Sequence, residues 1–334
     1  MAAATLFSIM QQSHTSTPSR LKRSLISFMS SVVFTACALL ATSVPMHGFA
    51  SAPKATPAAD ASLTGWCERL TPRLPGVSMA DCQGSNLTPS GAVSYLGFPI
   101  LMRQIPATAK RPATTPVRVL LLGGIHGDEL TASAVVFKWL QQANTPLAKE
   151  FIWEVVPVLN PDGLLAIQPS RVNGRGVDLN RNFPTPNWQQ EAKRYWVKTT
   201  ASDPRRFPGT GPLSEPETRW LNREIERFKP NVIISVHAPF GVLDFDGPAP
   251  VPERFGRLQF NRVGVYPGSL GNYGGQLNQI PVITIELPNA RKMPSDMDVE
   301  RIRLDMLNWI KLNIRQRSTA TSLPPLNSVS LQQQ

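Results

Sequence analysis

Four short apolar runs, at residues 117–122, 151–159, 232–236 and 282–287, constrain this chain more than any other feature of its sequence. They are continuous rather than alternating. A strand that is apolar on both sides must be covered on both sides, which is the situation of a parallel strand in a sheet flanked by helices. Helical patterns fall between the runs. Residues 129–142 place Leu130, Ala134, Phe137 and Leu140 on one face, and Ser214 with Glu217 reads as a capping box ahead of Leu221, Ile225 and Phe228. Ser295 and Asp298 mark the start of a further helix, which buries Val299, Ile302, Met306 and Ile310. The fold class expected is therefore α/β, a single domain with a mixed, mainly parallel sheet and helices on both faces.

Composition narrows the class without naming it. With 42% hydrophobic and 17% charged residues among 334, and no G-X-Y or heptad period, the chain is neither a disordered polyelectrolyte, a collagen nor a coiled coil. Lys and Arg exceed Asp and Glu by 34 − 23 = +11, and three of those charges, Arg20, Lys22 and Arg23, lie in the first fifty residues, which contain no acid. The basic remainder suits an anionic partner or is an ordinary soluble surface; no nucleic acid partner is expected. The same three charges precede an apolar stretch and then the small residues HGFASA, the pattern of a secretory signal cut near Ala50, with retention of the stretch as a membrane anchor as the alternative. FTAC around Cys37 is a poor lipidation site.

The expected organisation is a signal peptide at 1–50, an N-terminal arm at 51–89, a main α/β domain at 90–315 and a flexible tail at 316–334. The compartment expected is the periplasm or the medium, with no stable membrane span once the signal is removed. Loss of the signal leaves Cys67 and Cys82, which either remain thiols or close a loop in an oxidising compartment.

Chemistry gathers at the ends of the apolar runs. GGIHGDE follows the first, and the spacing of His126 and Glu129 lets one nitrogen and one carboxylate oxygen reach a single zinc ion. An H-x-x-E pair alone is a weak signal, shared with surface and capping pairs. Its setting strengthens it: of four histidines, His14 and His47 lie in the export segment, and His126 and His237 each follow a predicted strand. Ligands of open α/β sheets bind outside the carboxyl ends of the strands. His126, Glu129 and His237 together would hold one zinc per chain and leave a position open for water. Glu286 ends the fourth run, either as a salt-bridged strand end or as the proton acceptor for an attacking water. The loop NPDGLLAIQPSRVNGRGVDLNRNFP carries Arg171, Arg175, Asp178, Asn180 and Arg181. It reads as a solvated turn-rich segment, or as a recognition loop in which Asn180 and Arg181 grip a carboxylate and Arg171 steadies an oxyanion.

GGIHGDE, NPDG, GVDLNRNFP, SVH and ITIE, in this order, resemble the zinc carboxypeptidase family over residues 117–312. SYLGFPILMR, RVNGRGVDLNRNFPTPNW, GPLSEPET and YPGSLGNY resemble a bacterial branch of it, the peptidoglycan peptide amidases. The resemblance implies zinc on His126, Glu129 and His237, Glu286 as general base, Arg171 at the oxyanion, and Asn180 with Arg181 on a substrate carboxylate. It also implies that Asp178 orients a ligand histidine, and that the substrate is a peptidoglycan-derived peptide cut at its γ-D-glutamyl to meso-diaminopimelate amide. Two departures stand out. Where the branch reads H-D-P this chain has His237, Ala238 and Pro239, and the substrate-capping tyrosine of many carboxypeptidases has no clear match, Tyr266 and Tyr273 both being nearby. Two other readings share these motifs: an N-acyl amino acid deacylase of the succinylglutamate desuccinylase type, and a protein that binds cell-wall peptides without cutting them.

Overall fold

The computed structural model describes residues 62–108 and 115–314. The export segment with Cys37, the stretch at 51–60 and the tail at 316–334 lie outside the described residues. Nine strands form one sheet: β1 (Thr88–Val93), β2 (Pro99–Ile105), β3 (Arg118–Leu122), β4 (Ile152–Val156), β5 (Val232–His237), β6 (Val242–Asp246), β7 (Arg254–Phe255), β8 (Leu258–Phe260) and β9 (Val282–Glu286). Their order is β1-β2-β4-β3-β5-β9-β6-β8-β7. The four apolar runs form the centre, β4-β3-β5-β9, and are mutually parallel. Outside them β2 pairs antiparallel with β4, and β6 antiparallel with β9.

Alternation of side chains splits the core in two. Val119 and Leu121 of β3, with Ile234 of β5 and Ile283 of β9, pack on α3 (Leu130–Gln141) and α7 (Asp296–Asn313). Their neighbours Leu120, Leu122, Ile233 and Val282 face the other way, toward Trp220, Leu221 and Ile225 of α6 (Pro216–Phe228). Each central strand is therefore buried twice, which is why its sequence shows no alternation. Among the described residues no helix is long and apolar enough to cross a membrane.

Three local expectations change. The Ser214–Glu217 capping box does not form: Pro216 occupies the first turn of α6 and Glu215 is the N-cap, with no side-chain capping bond. Proline is preorganised for the first helical position, so the helix begins there. Ser214 Oγ instead donates to Glu215 Oε1 at 2.7 Å, and buried Glu217 accepts from the Tyr95 N–H at 3.0 Å. Second, α3 begins at Leu130, and Glu129 sits before it at φ −93°, ψ 64°. Third, the boundary expected at 89/90 falls inside β1. Residues 62–87 are integrated rather than an appended arm, because Trp66, Leu70, Leu74 and Leu87 enter the same core as α3 and α7.

Cys67 of α1 (Leu63–Leu70) and Cys82 of α2 (Met79–Gly84) are joined by a disulfide that is fully buried in that core. A loop of this length restricts the unfolded chain by about 3 kcal/mol in the chain-entropy model. The double variant Cys67→Ala, Cys82→Ala is expected to lose about that much stability in urea unfolding. A midpoint equal to that of the parent would contradict it.

Candidate metal centre

The parallel strands deliver their chemistry to one edge. β5 ends at His237 and β9 at Glu286, and these two residues are register partners. β3 leads through Gly123 and Gly124 to His126. The His126 loop lies directly on the start of α4 (Pro161–Leu165): a Cβ at Gly127 would stand 2.3 Å from the Gly163 carbonyl carbon, so only glycine permits this approach. Glu129 follows at the head of α3.

His126, Glu129 and His237 are buried, and each offers a ligand atom within 4.8 Å of the others. The two Nδ1 atoms are 3.2 Å apart; His126 Nδ1 is 2.8 Å from Glu129 Oε1, and His237 Nδ1 is 3.1 Å from Glu129 Oε2. The far side of each ring is engaged. His126 Nε2 lies 3.2 Å from Asp178 Oδ1, and His237 Nε2 lies 2.9 Å from Ser235 Oγ. With Nδ1 given to a metal, Nε2–H is the donor in both contacts, which fixes ring tautomer and orientation. Ala238 N–H also donates to Glu129 Oε2 at 3.2 Å. Two nitrogens and one carboxylate, buried and oriented from behind, are a donor set that fits zinc with a position left open.

The surrounding charges keep this set ready. Burial opposes ionisation of Glu129, yet the two imidazoles hold its carboxyl well below the usual carboxylate range. Asp178 is likewise held low against its burial by Arg171 and His126. Arg171 Nε donates to Asp178 Oδ2 at 2.9 Å, and its Nη1 stands 3.6 Å from Glu129 Oε1. For Glu286 the balance is reversed. Burial pushes its carboxyl up more than His237 pulls it down, and its Oε2 is buried without a hydrogen-bond partner.

Asn180 and Arg181 line the same cavity of about 390 Å³ as His126, Glu129, His237 and Glu286. Asn180 Oδ1 accepts from the Leu270 N–H at 2.8 Å, so the side-chain NH2 is the group it can offer. Arg181 is 4% exposed, its Nη1 donates to Asn180 O at 2.7 Å, and its Nε is buried without a partner. Its guanidinium carbon stands 4.4 Å above the Tyr266 ring. Arg175, from the same loop, turns elsewhere, over Tyr95 and 3.9 Å from Glu215. The two tyrosines also separate: Tyr266 lines the cavity, while Tyr273 is buried and stacked on Phe183. Ser235 was not singled out by motif, although its position two residues before His237 puts both on one side of a strand.

The profile of the zinc carboxypeptidase family matches residues 87–243. Murein peptide amidase A of Escherichia coli (strain K12) is 32% identical over 226 residues, spanning 65% of this chain and 87% of that protein. Murein peptide amidase A of Vibrio campbellii (strain ATCC BAA-1116) is 32% identical over 216 residues, 62% of this chain and 81% of that one. The crystal structure of thrombin activatable fibrinolysis inhibitor shares the fold, with a TM-score of 0.52 at 18% identity over 75% of this chain and 72% of that one.

The bonds behind the histidines generate a test that needs no substrate. Asp178→Ala is expected to weaken zinc about 10- to 100-fold in competition with a chelator, because the His126 ring loses its acceptor. Ser235→Ala acts on the other ring in the same direction. Parental affinity in both variants would mean that the rings need no support.

Proposed function

This chain belongs to the zinc carboxypeptidase family, a family of hydrolytic peptidases, and we propose that it is exported and cuts the γ-D-glutamyl to meso-diaminopimelate amide of murein peptides. The motif resemblance suggests the bond, and relatives at 32% identity that are murein peptide amidases support a murein peptide as substrate. The observation that carries the reading on this chain is Arg181, a buried cation that forms no ion pair among the described residues and lines the cavity of His126, Glu129 and His237. A buried charge is costly unless it is paired. A peptide carboxylate entering beside the metal centre supplies the pair.

The geometry supports the following roles. His126, Glu129 and His237 hold one zinc, which when bound polarises a carbonyl and acidifies water. Glu286 takes a proton from the attacking water and returns it to the nitrogen of the leaving amine as the C–N bond breaks. Its burial suits this role, since a raised carboxyl is a stronger base than a solvated one. Arg171, 15% exposed beside Glu129, donates to the oxyanion that develops on the carbonyl oxygen. The Asn180 amide and the Arg181 guanidinium hold the substrate carboxylate, a contact that lysine would reduce to a point charge. Asp178 is a positioning residue, tied at once to the His126 ring and to Arg171.

Mass spectrometry of L-Ala-γ-D-Glu-meso-diaminopimelate incubated with zinc-loaded protein is expected to find free meso-diaminopimelate and L-Ala-D-Glu. An intact tripeptide, with turnover of N-acyl amino acids instead, would contradict the reading. Glu286→Gln keeps the shape and removes the base. It is expected to retain zinc and lose about 10²-fold or more in kcat, and a parental rate would mean that another group takes the proton.

A further inference from the structure

The mouth of the cavity is basic where it passes Glu129. Asp128, the residue before Glu129, lines the cavity, and Arg205 Nη2 donates to its Oδ2 at 2.7 Å. The chain leaving β9 reaches the same place. The Thr131 N–H, in the first turn of α3, donates to Ala290 O at 3.0 Å, and Thr131 Oγ1 donates to Asn289 O at 2.6 Å. These two bonds tie residues 289–290 to the head of α3, next to Asp128 and Glu129, and Arg291 follows them on the cavity lining.

The arginines of this mouth are not equivalent. On the turn Pro204–Arg206 both already face carboxylates: Arg205 is paired with Asp128, and Arg206 Nε stands 3.6 Å from Asp203. Arg291 is exposed, lines the cavity and forms no ion pair among the described residues. The N–H groups of Arg291 and Lys292 both donate to Asn289 Oδ1 at 2.8 Å, which fixes the turn that carries the side chain. Arg181 belongs to a different wall, with its guanidinium over Tyr266 and its neighbour Asn180 bonded to the Leu270 N–H. A peptide whose carbonyl lies at the metal centre, and whose leaving side is held by Arg181, therefore has its other side at the wall of Asp128, Arg205 and Arg291.

We infer that Arg291, with Arg205 beside it, receives a free carboxylate on the acyl side of the cleaved amide, the side that keeps the carbonyl, so that the site distinguishes a γ-linked glutamyl residue from its α-carboxamide. The γ-linkage itself supplies the anion. In an α-linked peptide the α-carboxyl is consumed in the amide that is cut. In a γ-linked residue it stays free, four bonds from the attacked carbonyl carbon, or about 5 Å when extended. A guanidinium meets such a group with two parallel N–H donors, and a carboxamide keeps the shape of the carboxylate while losing its charge. Because Arg291 is exposed, the contact is modest and is weakened by salt. This selection rests on the reading above for the bond that is cut, but binding measures it separately from turnover.

The experiment uses the zinc-loaded full chain, Arg291→Ala and Arg291→Glu. The substrates are L-Ala-γ-D-Glu-meso-diaminopimelate and the same peptide with a carboxamide in place of the glutamyl α-carboxylate. kcat/KM is measured for both at low and at high salt, and calorimetric binding of both is measured with Glu286→Gln added, so that the peptides persist. The parent is expected to favour the free carboxylate by about fivefold at low salt and by less at high salt. Arg291→Ala is expected to bring the ratio within about twofold, through a higher KM for the free peptide alone, and Arg291→Glu to favour the carboxamide. A ratio that survives in Arg291→Ala, or equal losses on both peptides, would overturn the proposal. Cleavage at the expected bond with a ratio near one in the parent would overturn it and sustain the reading of the bond. An Arg291-dependent preference in binding, with product masses showing another bond cut or none, would sustain the contact and refute that reading. No binding and no cleavage of either peptide would overturn both. Arg291 is exposed, and its variants are expected to melt with the parent.

Discussion

Two imidazole nitrogens and a carboxylate, gathered within 4.8 Å of one another and shielded from water, make a cluster that the fold must both assemble and tolerate. Nothing local brings them together. His237 and Glu286 meet because β5 and β9 are parallel and in register, and His126 meets them because β3, on the other side of β5, ends at the same edge. A register shift of one residue on β5 would turn His237 to the opposite face of the sheet. The double burial of the central strands, with α3 and α7 on one side and α6 on the other, is what prevents such a slip.

Charge is layered around that cluster. Asp178 and Ser235 stand behind the rings, Arg171 bridges Asp178 and Glu129, and Glu286 faces the cavity with one oxygen unpaired. Farther along the cavity Arg181 leaves a polar atom buried and unpartnered. Such groups weaken a fold in isolation, and proteins retain them where ligands complete them. A cavity of about 390 Å³ holding this cation suits a small anionic peptide better than an apolar one.

The central sheet and the cluster of His126, Glu129 and His237 were legible because both leave marks in short windows. A strand covered on both faces is continuously apolar, and a histidine just past its end stands where open sheets bind ligands. The flanking strands left fainter marks. β6 reads VLDFD, in which Leu243 and Phe245 serve the core while Asp244 and Asp246 line the cavity, and only the pairing with β9 reveals the second face. β7 and β8 are two and three residues long, too short for any periodicity to register. The Ser214–Glu217 pair has the spacing of a cap, yet Pro216 moves the helix start and Glu217 is drawn into a buried contact with the Tyr95 N–H. In the loop after α4, motif order named Arg171, Asn180 and Arg181, but only the folded loop shows Arg175 turned away toward Tyr95 and Glu215.

The most direct test of the metal centre is crystallographic: anomalous diffraction at the zinc edge from crystals of the zinc-loaded protein. The expected result is one strong peak per chain, about 2.0–2.2 Å from His126 Nδ1, His237 Nδ1 and a Glu129 carboxylate oxygen, with both Nε2 atoms still facing Asp178 and Ser235. A peak bound through either Nε2, a peak away from these three residues, or no peak in zinc-saturated crystals would contradict it.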